Sequence, residues 1–247
     1  NDDWRYYQGL TFTYSPKWVE GLSLGFIRWV QMYGEFATTN SDYFPVFDGL
    51  FRKNDKYGLT SDSLEGERDQ GAGFFGRWVW QDAKAEIYGE LNYNDAKYNL
   101  RDLILDSDHA RAYTMGIHKV FQKSPTSKIY EFSWERTVMQ QTSSRLLRDA
   151  GSWYMHSKVR HGYTNNGEVM GAGIGPGSNS QYFEFAMIDK LDKYSIAFEV
   201  IDQDNDFFIY AFEEAQDFRR YWKDFNVHFS VQKKIKNYWG RINVVYS

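Results

Sequence analysis

Apolar and polar residues alternate with a period of two over most of the chain, the signature of strands with two unlike faces. The clearest case lies near the C-terminal end. There Phe225, Val227, Phe229 and Val231 alternate with Asn226, His228, Ser230 and Gln232 without exception. Farther back, Ala85, Ile87, Leu91 and Tyr93 oppose Glu86, Tyr88, Glu90 and Asn92, and Tyr130, Phe132, Trp134 and Val138 oppose Glu131, Ser133, Glu135 and Thr137. At the end of the chain, Tyr238, Ile242, Val244 and Tyr246 oppose Trp239, Arg241 and Asn243. The pattern predicts ten strands, near residues 4–15, 21–34, 71–82, 84–95, 109–121, 127–141, 180–190, 192–203, 222–235 and 237–247. Such strands are long for a soluble sheet and match tilted membrane spans.

The connections add a second regularity. Joins near Pro16, Asp82, Ser124, Asp192 and Lys236 are tight, whereas 35–70, 96–108, 142–179 and 204–221 are long, and short and long alternate. Outer-membrane barrels join their strands this way, with short periplasmic turns and long extracellular loops. The expected fold is therefore all-β: one domain over 1–247, an antiparallel transmembrane β-barrel of the bacterial outer membrane, with those four loops outside. Two features pull against it. Arg28 and Arg136 fall on the faces that would meet lipid, and ten strands leave the C-terminus on the outer side. The second feature reads as a missing final strand or one miscounted hairpin.

Composition sharpens this picture. Aromatic residues make up 19% of the 247 while mean hydropathy is −0.65, and girdles of aromatics around a polar lumen reconcile the two. Net charge is −4 with both signs dispersed, so no nucleic-acid face is expected. The absence of cysteine excludes disulfides, thiol nucleophiles and Cys-bound zinc. The opening Asn-Asp-Asp-Trp lacks a basic and an apolar leader region, so the sequence reads as a mature chain or part of a longer one.

The stretch from Trp153 to Ser180 breaks the alternation. Its density of glycine and asparagine rejects helix and strand interiors, which makes it a long loop between strands. Long loops of this kind commonly carry function. Trp153, Tyr154, His156, Arg160, His161, Tyr163, Asn165 and Asn166 are side chains able to stack on sugar rings or hydrogen-bond to them. The alternative is a loop that folds inward and only plugs the barrel.

Other constellations carry less chemistry. Glu86, Glu90, Glu131, Glu135, Glu184 and Glu199 fall on the polar faces. Two carboxylates four apart on one strand are about 13 Å apart, too far for glycoside hydrolysis unless neighbouring strands supply the pair. They read as lumen polarity balanced by Arg77, Arg241 and lysines. Of His109, His118, His156, His161 and His228, the close pair His156 and His161 has no metal-ligand spacing. Asp108-His109 is similar to the acid and histidine of outer-membrane proteases but lacks a second acidic pair. Asp202, Asp204, Asp206 and Glu213 imitate a calcium loop, yet Phe207 stands at the sixth position, where the turn needs glycine. A short charged helix is expected over 211–223. No catalytic residue, metal or cofactor is expected.

Trp153-Tyr-Met-His156, followed by His161-Gly-Tyr-Thr-Asn-Asn-Gly-Glu-Val-Met-Gly171 and Gly173-Ile-Gly-Pro-Gly-Ser178, resembles the long-loop signature of the Wzi family of capsule-assembly outer-membrane proteins. Gly25-Phe-Ile-Arg-Trp29 and Asp106-Ser-Asp-His-Ala-Arg-Ala112 resemble the same family. The resemblance covers most of this chain but about the C-terminal half of a typical member. It implies roughly eighteen strands in the complete barrel and a non-enzymatic role in binding or organising capsular polysaccharide at the cell surface. The partners it implies are surface polysaccharide and outer-membrane lipid, with other envelope proteins if the chain is a structural subunit of a larger assembly. An outer-membrane hydrolase is the third class of function.

Overall fold

The computed structural model describes residues 4–37, 44, 68–94, 109–141, 151–212, 217–235 and 238–247. Ten long strands form one antiparallel sheet in which each lies beside its neighbours in sequence. They are β1 (Arg5–Tyr14), β2 (Leu22–Tyr33), β3 (Arg68–Trp80), β4 (Ala85–Asn94), β5 (Arg111–Phe121), β6 (Ile129–Val138), β9 (Asn179–Asp189), β10 (Asp192–Asp202), β11 (Lys223–Ile235) and β12 (Tyr238–Tyr246). A two-residue pair, β7 (Thr164–Asn165) and β8 (Glu168–Val169), forms a small hairpin within the loop between β6 and β9. Each long strand coincides with one of the ten segments of period-two alternation, and the meander puts the long connections at one end and the short ones at the other. Loop 96–108 and most of 35–70 lie outside the described residues.

The register carries like residues across the sheet. One rung runs Ile117, Trp134, Phe183, Phe198, Val227, Tyr246 from β5 to β12. On the opposite face a rung runs Glu86, His118, Ser133, Glu184, Ala197, His228 from β4 to β11. The apolar face is the open one: Phe74 is 62% exposed, Phe225 65% and Ile242 67%. The polar face is sheltered, with Ala197 at 2%, Ala186 at 6% and Thr137 at 7%. A half-solvated soluble sheet does the reverse and packs its apolar face on a core.

Arg28 and Arg136 do stand on the apolar face, toward the long-loop end. Arg28 shares its rung with Ala72 and donates from Nη2 to Gln70 Oε1 at 3.1 Å, while Arg136 lies between Met115 and Gln181. Arg136 stands two residues from the long-loop end of β6, whereas Arg28 lies mid-strand, with the apolar Val30 and Met32 beyond it on the same face. Among the described residues β1 pairs on one side, with β2, and β12 on one side, with β11. These two strands are the edges of the sheet.

The helix expected over 211–223 is displaced. The structure has α1 over Asn205–Phe212, and Phe218–Arg220 form a 3-10 turn. Asp204 explains the shift: its carboxylate accepts the amide of Phe207 at 3.2 Å and starts the helix within the acidic run. That run is consumed by hydrogen bonds. Asp206 accepts the Gln141 amide at 2.8 Å and the Ser152 hydroxyl at 3.0 Å, and Asp202 pairs with Lys223 at 3.0 Å. No group of acidic residues and histidines suited to a metal ion occurs among the described residues.

Candidate functional site

The segment 151–178 folds onto the polar face of the sheet, over β1, β2 and β5. Trp153 packs with Trp29, Ala112 and Met139, and Tyr154, Tyr163, Ala172 and Ile174 lie against that cluster. Trp29 and Ala112 belong to the polar face by register, so the loop supplies an apolar seat where the sheet would otherwise end in polar side chains. The ring of Trp29 lies over Gly71, whose missing side chain makes the room.

Three side chains from the first two strands fasten the loop. Arg5 donates from Nη1 to the Gly162 carbonyl at 2.6 Å and from Nη2 to the Thr164 carbonyl at 2.5 Å. The hydroxyls of Tyr7 and Tyr163 are 2.6 Å apart, and the Tyr33 hydroxyl meets His161 Nδ1 at 2.7 Å. Within the loop, the Ala172 amide donates to the Tyr154 hydroxyl at 2.8 Å and the Tyr163 amide to the Tyr154 carbonyl at 2.9 Å. Gly162 has φ +63°, and a Cβ there would lie 2.0 Å from the Tyr154 carbonyl oxygen, so this crossing needs glycine. At the far end, the bonds of Asp206 to Gln141 and Ser152, with Asn205 N donating to Gly177 O at 2.9 Å, tie both stems of the loop to α1.

Burial raises the phenols of Tyr154 and Tyr163 above the usual tyrosine range; at Tyr163 the Tyr7 hydroxyl adds to it. These are groups that serve packing and hydrogen bonding.

The eight residues proposed from sequence therefore divide. Trp153, 5% exposed, and the half-buried Tyr154 and Tyr163 form the loop's seat. His156 is half-buried and its Nδ1 accepts the amides of Val159 at 3.0 Å and Lys158 at 3.3 Å, which fixes a local turn. Arg160, His161, Asn165 and Asn166 are exposed. Asn166 and Gly167, at φ +50° and +82°, form the tip of the β7–β8 hairpin. Asp108 lies outside the described residues, and His109 is buried, 3% exposed.

Sequence reasoning did not find the fastening residues Arg5, Tyr7, Tyr33 and Asp206. The contacts from β1 join residues more than 150 apart in the chain and leave no local pattern.

The carboxylates of the polar face are engaged. Arg77 pairs with Glu86, Tyr88 donates to Glu135 at 2.6 Å, and Lys193 bridges Glu131 at 3.1 Å and Glu184 at 3.6 Å. Glu199 accepts from Asn226 at 3.1 Å and meets His228 Nε2 at 3.2 Å. Arg241, expected to balance a carboxylate, donates from Nε to Asn243 at 3.2 Å. Comparison of the chain with protein families, with characterised proteins and with solved structures returned no match.

Proposed function

We propose that this chain spans the bacterial outer membrane as part of a β-barrel and presents its braced loop to surface polysaccharide without turning it over. The observation that carries the reading is the inverted sheet: an apolar face exposed over most of its length, apart from Val30 and Met32 at the long-loop end of β2, and a partly buried face of ion-paired glutamates. Lipid satisfies the first face and a water-filled lumen the second. A bilayer tolerates no unpaired strand edge, so β1 and β12 take further strands beside them. β1 runs toward the short turns and β12 away from them, so an even number of antiparallel strands completes the ring. The resemblance to the Wzi family supplies the expected total of about eighteen strands and the polysaccharide.

Within this reading Arg160, His161, Asn165 and Asn166 are the contact residues, and Arg160 pairs with a carboxylate on the polymer. Replacing Arg160 and Asn165 by Ala is expected to reduce retention of acidic polysaccharide on cells, most strongly at low salt, with the folded barrel unchanged. Unchanged retention in the double variant refutes the contact role. The buried seat of Trp153, Tyr154 and Tyr163 favours a second reading, in which the loop is a plug of a structural barrel. Under that reading, unseating the loop opens a conductive pore and leaves retention as it was.

A further inference from the structure

At the short-turn end of the polar face, away from the loop, β9 to β12 enclose a cavity of about 220 Å³ lined by Glu184, Lys193, Ser195, Ser230, Gln232 and Arg241. We infer that this cavity is a saccharide subsite that takes one sugar ring with a carboxylate substituent; the inference rests on the polysaccharide-binding reading above and places a second contact far from the loop.

Three properties of the cavity point to a sugar. Its size lies below the roughly 300–1,000 Å³ of drug-sized sites and suits a single ring. It mixes acceptors with donors: the Glu184 carboxylate stands beside the Ser195 hydroxyl, the Gln232 amide and the Arg241 guanidinium. Of these, the Ser195 and Gln232 side chains and the two terminal nitrogens of Arg241 make no hydrogen bond among the described residues, whereas Lys193 is held by Glu131 and Glu184. The unfilled capacity is therefore mainly donor capacity, matched to hydroxyl and carboxylate oxygens.

The third property is an aromatic platform. Trp239 precedes Arg241 by two residues on β12, so both side chains leave the same face about 7 Å apart along the strand. Its indole is 52% exposed, on an edge strand whose residues are all exposed. An exposed indole beside a mixed polar cluster can stack on the apolar face of a sugar while the cluster bonds its rim.

The test is isothermal titration of the folded full chain in detergent micelles with oligogalacturonate, and with a neutral maltooligosaccharide of equal length. Tighter binding of the acidic probe is expected. Arg241→Gln and Trp239→Ala should each weaken it about ten-fold or more, as loss of a charge-assisted contact does. Trp239→Phe should recover most of the binding. Arg241→Gln lies at an exposed position, so it decides the matter even if Trp239→Ala fails to fold. Equal affinity for the neutral probe overturns the carboxylate assignment. Loss on Arg160→Ala with none on Arg241→Gln overturns the subsite and leaves the loop reading standing. Absence of binding by the unaltered chain also overturns the subsite, while retention of polymer on cells separately decides the surface role.

Discussion

Phe229 is the position at which the membrane reading can be tried most directly. It stands on the open apolar face, 49% exposed, between Ile196 on β10 and Val244 on β12. Lys223 and Lys233 bracket the apolar run of β11, ten residues apart on the same face. At about 3.4 Å per residue and a tilt of about 40° that run spans about 26 Å along the membrane normal, against a lipid-facing band of about 25 Å in such barrels. Phe229 then lies about 16 Å below Lys223 and about 10 Å above Lys233, within a few ångströms of the midplane. Phe229→Arg is expected to cost roughly 2–4 kcal/mol, which lowers the folding equilibrium roughly 30- to 700-fold. Ser230→Arg places the same charge on the polar face, beside Ser195 and Asn243, and is expected to cost under about 1 kcal/mol. The assay is urea titration of the protein folded into phospholipid vesicles, followed by tryptophan fluorescence. In a sheet surrounded by water, an exposed Phe→Arg change stays within about 0.5 kcal/mol. Equal costs at 229 and 230 would refute the assignment of the apolar face to lipid.

Two further expectations concern the braced loop. Gly162→Ala forces a Cβ to 2.0 Å from a backbone oxygen at φ +63°, whereas Gly167→Ala, at φ +82° with nothing within 4 Å, meets open space. Hydrogen exchange over 151–178 should show a loss of about 1–3 kcal/mol at 162 and a smaller one, about 1 kcal/mol, at 167; equal losses would show that the close crossing does not matter. Burial raises the Tyr163 phenol, so in the window above pH of about 10 the unfastened loop loses this proton before the seated loop does. The stabilisation is therefore full below that pH and is lost as pH rises through the seated value. Phenolate absorbance should show one fewer late-titrating tyrosine in Tyr163→Phe than in the unaltered chain, and an unchanged number would refute the assignment.

The sequence by itself determined the ten strands, the face on which each side chain lies and the end at which the long connections gather. All three are local properties: a strand alternates its side chains at every residue, and a polar or apolar choice at each position is written in the chain. Thus Phe225 to Val231 and Glu86 to Glu199 stand where the alternation puts them. The candidate loop was legible as a loop, and its exposed Arg160, His161, Asn165 and Asn166 were legible as polar side chains able to meet a ligand. What became of Trp153, Tyr154 and Tyr163 was decided by the tertiary structure. Their residue types suit a sugar and suit a core equally well, and the choice was made by Trp29, Met139 and Ala112 from other strands. The helix likewise began at Asn205 because Asp204 could bond the Phe207 amide and Gly177 could accept from Asn205. The cavity lined by Glu184 and Arg241 exists because four strands meet in register there. A contact between residues distant in the chain depends on how the backbone returns, and that information has no period to be read from the sequence.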